Sequence, residues 1–498
     1  MFKIEDVLFG CLIALITIFI TFRFQRRRLY KFASKLPGPK EWPIFGILPN
    51  FMDVFKTLNN VANQYDESFK TWAGPILIYV IRDPDDLGIV LKKVSEKHEL
   101  YSKVGFPQGL FTLNGEKHKL HRRLLMPAFS VKSFQSYIST INYQSKIFVE
   151  KVRREFYGLE IEISEHVFDF TMKNLLRTLF GLKRIPNALA AQYHKDCMKY
   201  QLIILNKMFE IINQRMCKIW LTIDPIFRLS NLYQKAAKHR FDRPNTLSDY
   251  LMKDNEKNYL KSHKTGKCET IVDMMYKNRE FEEYDDIKSE IDSIIIAVEL
   301  SSRGYDTTAV MLSNILLMLA IHQDVQKKVI SEMKEAFPSN QDEMDIEALG
   351  KLSYLEMVIN ECMRLFPFPP MNVLAPTNDL KLTKCVVPKG TAIMFQPLYF
   401  QTSERFWGPD AKMFRPERFT PENYSKVHPS VFIPFLSGPR KCLGYKYAWM
   451  VMKIFLCHVL RNFHLSTSMK FEDIYLEAEF ILKLKPGWFV KFDDRTDY

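Results

Sequence analysis

The segment Phe435-Leu436-Ser437-Gly438-Pro439-Arg440-Lys441-Cys442-Leu443-Gly444 decides how the rest of the chain is read. Gly438 and Pro439 break regular structure, so the segment predicts a turn. The apolar spacing that follows predicts a helix from Tyr445 to Phe463. The turn therefore delivers one cysteine to a helix N-terminus. Unpaired N–H groups and the positive end of the helix dipole favour thiolate over thiol there. Arg440, two residues earlier, adds a planar cation suited to carboxylates. The competing reading, a buried structural cysteine in a loop, is the default for an arbitrary cysteine.

A lone thiolate, glycines that admit a flat group and an arginine for carboxylates suit the proximal side of a haem. Thiolate ligation there pushes electron density to the iron and favours O–O cleavage. The full pattern F-x-x-G-x-R-x-C-x-G, carried by Phe435, Gly438, Arg440, Cys442 and Gly444, resembles the haem-binding signature of the cytochrome P450 superfamily at every fixed position. The resemblance implies a haem b with Cys442 as its metal ligand, in a mainly α single-domain fold with a small β region.

Other segments fall in the order this resemblance requires. Glu361-Cys362-Met363-Arg364 places a carboxylate and a guanidinium one helical turn apart. Phe414-Arg415-Pro416-Glu417-Arg418-Phe419 follows before the cysteine loop. The resemblance implies that Glu361, Arg364 and Arg418 form a buried, structural charge network. In Arg303-Gly304-Tyr305-Asp306-Thr307-Thr308, a mid-helix glycine costs about 1 kcal/mol relative to alanine and suggests a close approach or distortion. A hydroxyl beside a carboxylate can relay protons; threonines bonded to their own helix carbonyls are the alternative. Resemblance assigns Asp306 and Thr307 to proton delivery during oxygen activation.

Glu290-Ile291-Asp292-Ser293 resembles the opening of the helix signature of the microsomal family-four fatty-acid ω-hydroxylases. The chain departs from that family at several points. Ala297 through Ser302 reads as an extra segment, which on a straight helix would add about 9 Å and a net rotation of about 240°. Arg303 stands where some relatives carry the glutamate that esterifies their haem, so the haem is expected to be non-covalent apart from the Cys442–Fe bond. Gly115 through Phe129 fits the haem-propionate segment, with Arg122 and with His118 in place of the usual tryptophan. His118 also reads as an exposed helical histidine among lysines. The family's propionate arginine near Leu374 is absent, which puts more weight on Arg122 and Arg440.

Val7 to Phe22 is uncharged and apolar, and Phe24 extends it to about 18 residues, enough to span a hydrocarbon core if Arg23 snorkels. Arg23, Arg26, Arg27, Arg28 and Lys31 follow it. The basic cluster comes after the apolar stretch, so a retained N-terminal transmembrane helix is favoured over a cleaved signal, with the body on the cytoplasmic side. The expected organisation is an anchor and basic flank over 1–35, a proline-rich linker over 36–50 and a haem-thiolate catalytic domain over 51–498. Further helices are predicted at Gln135–Phe156, Ala188–Trp220 and Asp286–His322. Strands are predicted at Pro75–Ile81, Leu380–Val387, Thr391–Phe395 and Phe480–Leu484.

Hydrophobic residues make up 47% of the 498 and charged residues 26%, which with 39 Phe and 22 Tyr excludes a disordered chain. The net charge of +13 comes without a nucleic-acid signature, so anionic lipid or an acidic protein is the expected partner, and no nucleic acid. Eight scattered cysteines without a C-x-x-C pair suit a reduced, cytosol-facing setting. The reading that follows is an NADPH-dependent monooxygenase of the endoplasmic reticulum membrane. It would be fed by a flavoprotein reductase, with cytochrome b5 as a further donor, and would act on a lipophilic small molecule such as a fatty acid. A reductase-independent isomerase of lipid peroxides and a non-catalytic haem-binding membrane protein stand as alternatives.

Overall fold

The computed structural model describes residues 4–42, 46–47, 60–99, 109–181, 214, 218, 221, 224–234, 270–271, 275, 307–338, 344–369, 371–478, 482–496 and 498. The predicted helix Ala188–Trp220 falls almost entirely outside them. So do Glu290, Ala297 through Ser302, Arg303, Gly304 and Asp306.

Helices α1 (Ile4–Gln25) and α2 (Arg27–Ala33) open the chain, followed by strands β1 (Phe69–Ala73) and β2 (Ile76–Val80). Next come α3 (Pro84–Lys93), α4 (Gly115–Leu125), α5 (Val131–Glu155), β3 (Glu160–Glu162) and α6 (Ser164–Thr178). The central helix α7 (Thr307–Ile321) leads through a sharp break at His322 into α8 (Gln323–Ala336). Then follow α9 (Ser353–Leu365), β4 (Asn372–Leu374), β5 (Ala392–Phe395), α10 (Tyr445–Asn462) and β6 (Phe463–Ser466). A hairpin of β7 (Tyr475–Ala478) and β8 (Leu482–Lys485) precedes the last strand, β9 (Phe489–Asp494). The mainly α body with a small β region matches the expectation.

Helices α3 and α5 begin where the sequence supplies caps. Asp83 accepts the N–H groups of Asp85 and Asp86, and Pro84 sits at the first turn of α3. Ser130 accepts the N–H of Ser133 at 3.3 Å, which starts α5 four residues earlier than the apolar spacing alone suggests. The buried face of α5 carries Phe134, Tyr137, Ile141, Phe148, Val149 and Val152. Helix α7 is buried on every side from Ala309 to Ala320, as is α10 from Met450 to Arg461. These two helices form the axis of the main core.

The largest sheet runs β1-β2-β5-β4. Its one parallel pairing, Ile78 with Ala392 through Val80 with Met394, joins segments more than 300 residues apart. A second sheet, β3-β9-β6, closes the far side of the helical core. The predicted strand Leu380–Val387 is instead a tight hairpin. Leu380–Lys381 pairs with Val386–Val387, and the Leu382 N–H donates to the Cys385 carbonyl at 2.9 Å to close the turn.

Residues after α1 are fastened to the first sheet. Phe32 and Ala33 are buried in the core around that sheet, and Tyr30 stacks on Trp72 at 4.7 Å. The Lys70 N–H donates to the Pro37 carbonyl, and Glu41 accepts the Trp72 N–H at 2.7 Å. On α1 itself Phe9, Leu12, Ile13, Ile16, Phe19, Ile20 and Phe24 are all exposed. Among the described residues no single helix is long and apolar enough to cross a membrane.

One buried contact between α5 and α10 sets a pH dependence. The Asn142 amide nitrogen donates to the carbonyls of Ile138 and Met344, both at 3.1 Å, so its oxygen accepts from His458 Nε2 at 2.8 Å. Burial, reinforced by Arg461 and Lys146, pushes the His458 imidazole down to about 4. The unfolded chain therefore takes up this proton first. Stability is full above pH ~6.5 and is lost as the pH falls toward 4, by on the order of 3 kcal/mol from this group. In urea titrations His458→Gln should be destabilised at neutral pH yet show a shallower fall of its midpoint from pH 6.5 to 4. An unchanged fall would show that other groups control the acid limb.

Candidate active site

The cysteine loop is tied back on itself before α10 begins. The Cys442 N–H donates to the Phe435 carbonyl at 2.8 Å, and the Lys441 N–H to the Gly438 carbonyl at 3.1 Å. Two residues take left-handed backbone: Leu436 with φ 58° and Gly438 with φ 67°. Such strain in a leucine costs of order 1 kcal/mol and is typical of a loop shaped for a ligand. A side chain on Gly438 would place Cβ 2.0 Å from the Leu91 carbonyl oxygen of α3, so the loop lies directly on that helix. Gly444 differs. Its φ is −84°, and an added Cβ would sit 3.6 Å from the Phe129 ring, an ordinary contact. Of the two glycines, only Gly438 is demanded by the protein's own packing.

Cys442 keeps accessible surface, yet protein crowds it closely enough for burial to push its thiol above the ordinary range. The Gly444 N–H, Arg122 and Lys441 each favour the thiolate, as a helix N-terminus predicts, but burial outweighs them. A bound metal ion would favour the thiolate at this position.

Around the cysteine lie bases from three segments. Arg440 donates to the carbonyls of Ser95 and Leu113 and, at 2.6 Å, to Asn114 Oδ1. Arg122, on α4, is within electrostatic reach of Cys442. His118, one turn earlier, is buried rather than exposed, and burial followed by Arg440, Arg122, Lys97 and His121 pushes it down to about 4. His118 is therefore a neutral N–H donor near pH 7, not a cation. Two members of this cluster escape sequence reading. Asn114 exchanges two 2.9 Å hydrogen bonds with the Lys97 backbone while receiving Arg440. Lys97 itself is buried.

Leu374 lies in the core around the first sheet, bridged by backbone to Lys97. Thr307 opens the described part of α7 and is exposed, whereas Asp306 lies outside the described residues, so the pair cannot be placed together.

The expected charge network is assembled. Arg364 grips Glu361 bidentately, Nε to Oε2 at 2.7 Å and Nη2 to Oε1 at 2.8 Å, with both side chains fully buried. Its remaining donors reach the carbonyls of Gln401, Ala411 and Met413. Arg418 Nε approaches Glu361 Oε1 at 3.4 Å, and its Nη1 donates to Asp410 Oδ1 at 2.8 Å. Asp410 and the Arg415 N–H, which donates to Glu361 Oε1 at 2.8 Å, complete the network.

Among the described residues no cluster of three or more His, Cys, Asp or Glu side chains could hold a metal ion. A haem supplies four ring nitrogens and two carboxylates, and the residues present fit it: a thiol below and bases beside it. Fold and site together suit a haem-thiolate protein.

Comparison with known proteins agrees. The family model described as Cytochrome P450 matches residues 36–492. Relatives include a probable cytochrome P450 313b1 of Drosophila melanogaster, 27% identical over 95% of this chain and 96% of the relative. Cytochrome P450 4g1 of the same organism is 27% identical over 95% and 92%, and mouse (Mus musculus) cytochrome P450 4V2 is 26% identical over 97% and 94%. The chain belongs to the cytochrome P450 family, the haem monooxygenases, and family-four members are among its relatives.

Proposed function

We propose that this protein is a membrane-bound monooxygenase that hydroxylates a fatty acid or related lipid. The observation that carries the reading is Cys442, which keeps accessible surface just ahead of α10 with Arg122 in electrostatic reach, although burial pushes its thiol up. When bound, the haem supplies activation of dioxygen and transfer of one oxygen atom to substrate. Cys442 holds the iron. Arg440, Arg122 and His118 hold the carboxylates, the first two as cations and His118 as a neutral donor. Thr307 and Asp306 would hold and pass protons to bound oxygen. The Glu361–Arg364–Arg418 network ties α9 to the segment 401–418 that precedes the cysteine loop.

Electrons come from NADPH through a flavoprotein reductase, with cytochrome b5 as a second donor, and the net charge of +13 supports docking of acidic partners. The exposed apolar side chains of α1 support an anchor in the endoplasmic reticulum membrane. The basic residues that follow support a body on the cytoplasmic face. Lipophilic substrates would then enter from the bilayer.

The ferrous-carbonyl difference spectrum of the purified full chain tests the reading. A strongly red-shifted Soret band is expected, and acid extraction of the same sample into organic solvent should recover the haem, because Arg303 offers no carboxylate for an ester. A band at the position of a neutral ligand, or no haem at all, would sink the proposal. Product from a fatty-acid panel only when reductase and NADPH are present would separate monooxygenation from peroxide isomerisation.

A further inference from the structure

Helix α7 carries apolar side chains on every side, so no amphipathic stripe sets its rotation. From Ala309 to Ala320 only Ser313 and Asn314 bear side-chain N–H or O–H groups. Ser313 Oγ donates to the Ala309 carbonyl at 2.8 Å and so stays within its own helix. Asn314 is 1% exposed, and its Oδ1 accepts from Trp488 Nε1 at 2.7 Å, across 174 residues of chain. Trp488 is itself held by backbone. Its carbonyl accepts the Ile163 N–H at 2.9 Å, just ahead of α6, and the next residue, Phe489, pairs with Glu162 of β3. One buried indole N–H, fixed by the sheet β3-β9-β6, therefore meets the one side-chain amide in this stretch of α7.

We propose that the Asn314–Trp488 hydrogen bond positions Thr307 by fixing the rotation of α7. The inference rests on the proton-delivery reading of Thr307 and extends it to a pair that no sequence pattern marks. Thr307 and Asn314 are seven residues apart, about two turns, so they share one face of the helix to within about 20°. A rotation at Asn314 would turn Thr307 by the same angle. Apolar packing opposes such a rotation only weakly, because one aliphatic contact can replace another at small cost. A hydrogen bond is directional, and the wrong rotation would leave two buried groups without a partner. A single polar residue in an apolar seam specifies register in the same way, at some cost in stability. Asn314 and Trp488 are thus positioning residues, acting through Thr307.

The test uses the full-length holoprotein and two readouts: the urea midpoint, and the infrared stretch of carbon monoxide bound to the ferrous haem, which responds to polar groups facing the ligand. Thr307→Val removes the hydroxyl, keeps the shape and should shift the stretch. Trp488→Phe and Asn314→Leu each strand one buried polar group, so each should lower the urea midpoint. Each should also broaden or split the stretch, as α7 takes up more than one rotation. The double variant Asn314→Leu/Trp488→Phe strands neither group, so its midpoint should return toward the parent while its stretch stays broadened or split. A bond that serves stability alone predicts instead a stretch that recovers with the midpoint. A parent-like stretch in the double variant, or in both single variants, would overturn the proposal. If a single variant does not fold, the double variant decides on the same criterion. No shift in Thr307→Val would refute the reading of Thr307 beneath the inference, and unmodified protein without haem would refute that of Cys442.

Discussion

Arg364→Lys should lower the folding free energy by about 3–5 kcal/mol, although it preserves charge. All five N–H donors of Arg364 are engaged: two on Glu361 and three on the carbonyls of Gln401, Ala411 and Met413. A lysine offers three donors from one point and cannot reach a carboxylate and three carbonyls lying in different directions. At least one buried acceptor is then left without a donor, at about 1–3 kcal/mol, and the bidentate grip on Glu361 is lost as well. Glu361→Gln should be as damaging by the opposite route, since it leaves Arg364 charged and buried without its counter-ion, while Arg418 keeps Asp410. Asp410→Asn is the contrast, because that carboxylate sits at the half-exposed end of the network, where screening leaves it worth about 1 kcal/mol or less. Urea titrations read all three. A midpoint for Arg364→Lys as close to the parent as that of Asp410→Asn would mean the network is dispensable to the fold.

What was legible in the sequence follows from how local each signal is. The cysteine loop declares itself because its turn residues, its ligand and the helix it feeds are contiguous. Glu361 and Arg364 share one helical turn, so spacing alone places them side by side, and only Arg418 had to be supplied by resemblance. The first sheet was harder. Ile76–Val80 reads as a strand, but its parallel partner Ala392–Phe395 comes more than 300 residues later, and Phe69–Ala73 carries Lys70 and Thr71 among its apolar residues. Lys97 sits in Ser95-Glu96-Lys97-His98, a stretch whose composition describes a solvated turn. Its burial depends on Leu374 and Asn114, whose closeness to it comes from packing α3, α4 and β4 together. His118 shows the same limit: spacing cannot distinguish an exposed helical histidine from one facing Arg440. Short polar segments acquire their chemistry from neighbours distant in sequence, and those neighbours carry no periodic signature.

The two glycines of the cysteine loop look equivalent in the sequence and should behave oppositely. Gly438→Ala should cost on the order of 3–5 kcal/mol and leave little folded holoprotein. Alanine must either hold φ near 67°, at a cost of about 1 kcal/mol, or rotate the loop away from Cys442. Its Cβ also needs more than an ångström of extra room from the Leu91 carbonyl, and that oxygen belongs to the last turns of α3 rather than to a flexible side chain. Relief therefore requires moving the loop and the helix apart, which pulls Arg440 from the Ser95 carbonyl and Asn114 as it goes. Gly444→Ala meets only the Phe129 ring edge at 3.6 Å in ordinary backbone, so its urea midpoint should stay within about 0.5 kcal/mol of the parent. The pair thus separates two demands on one loop. Haem lost from Gly438→Ala together with the fold reports loop–helix packing. Haem lost from Gly444→Ala with the fold intact would report contact with the cofactor's face, because nothing in the protein itself forbids a methyl group there.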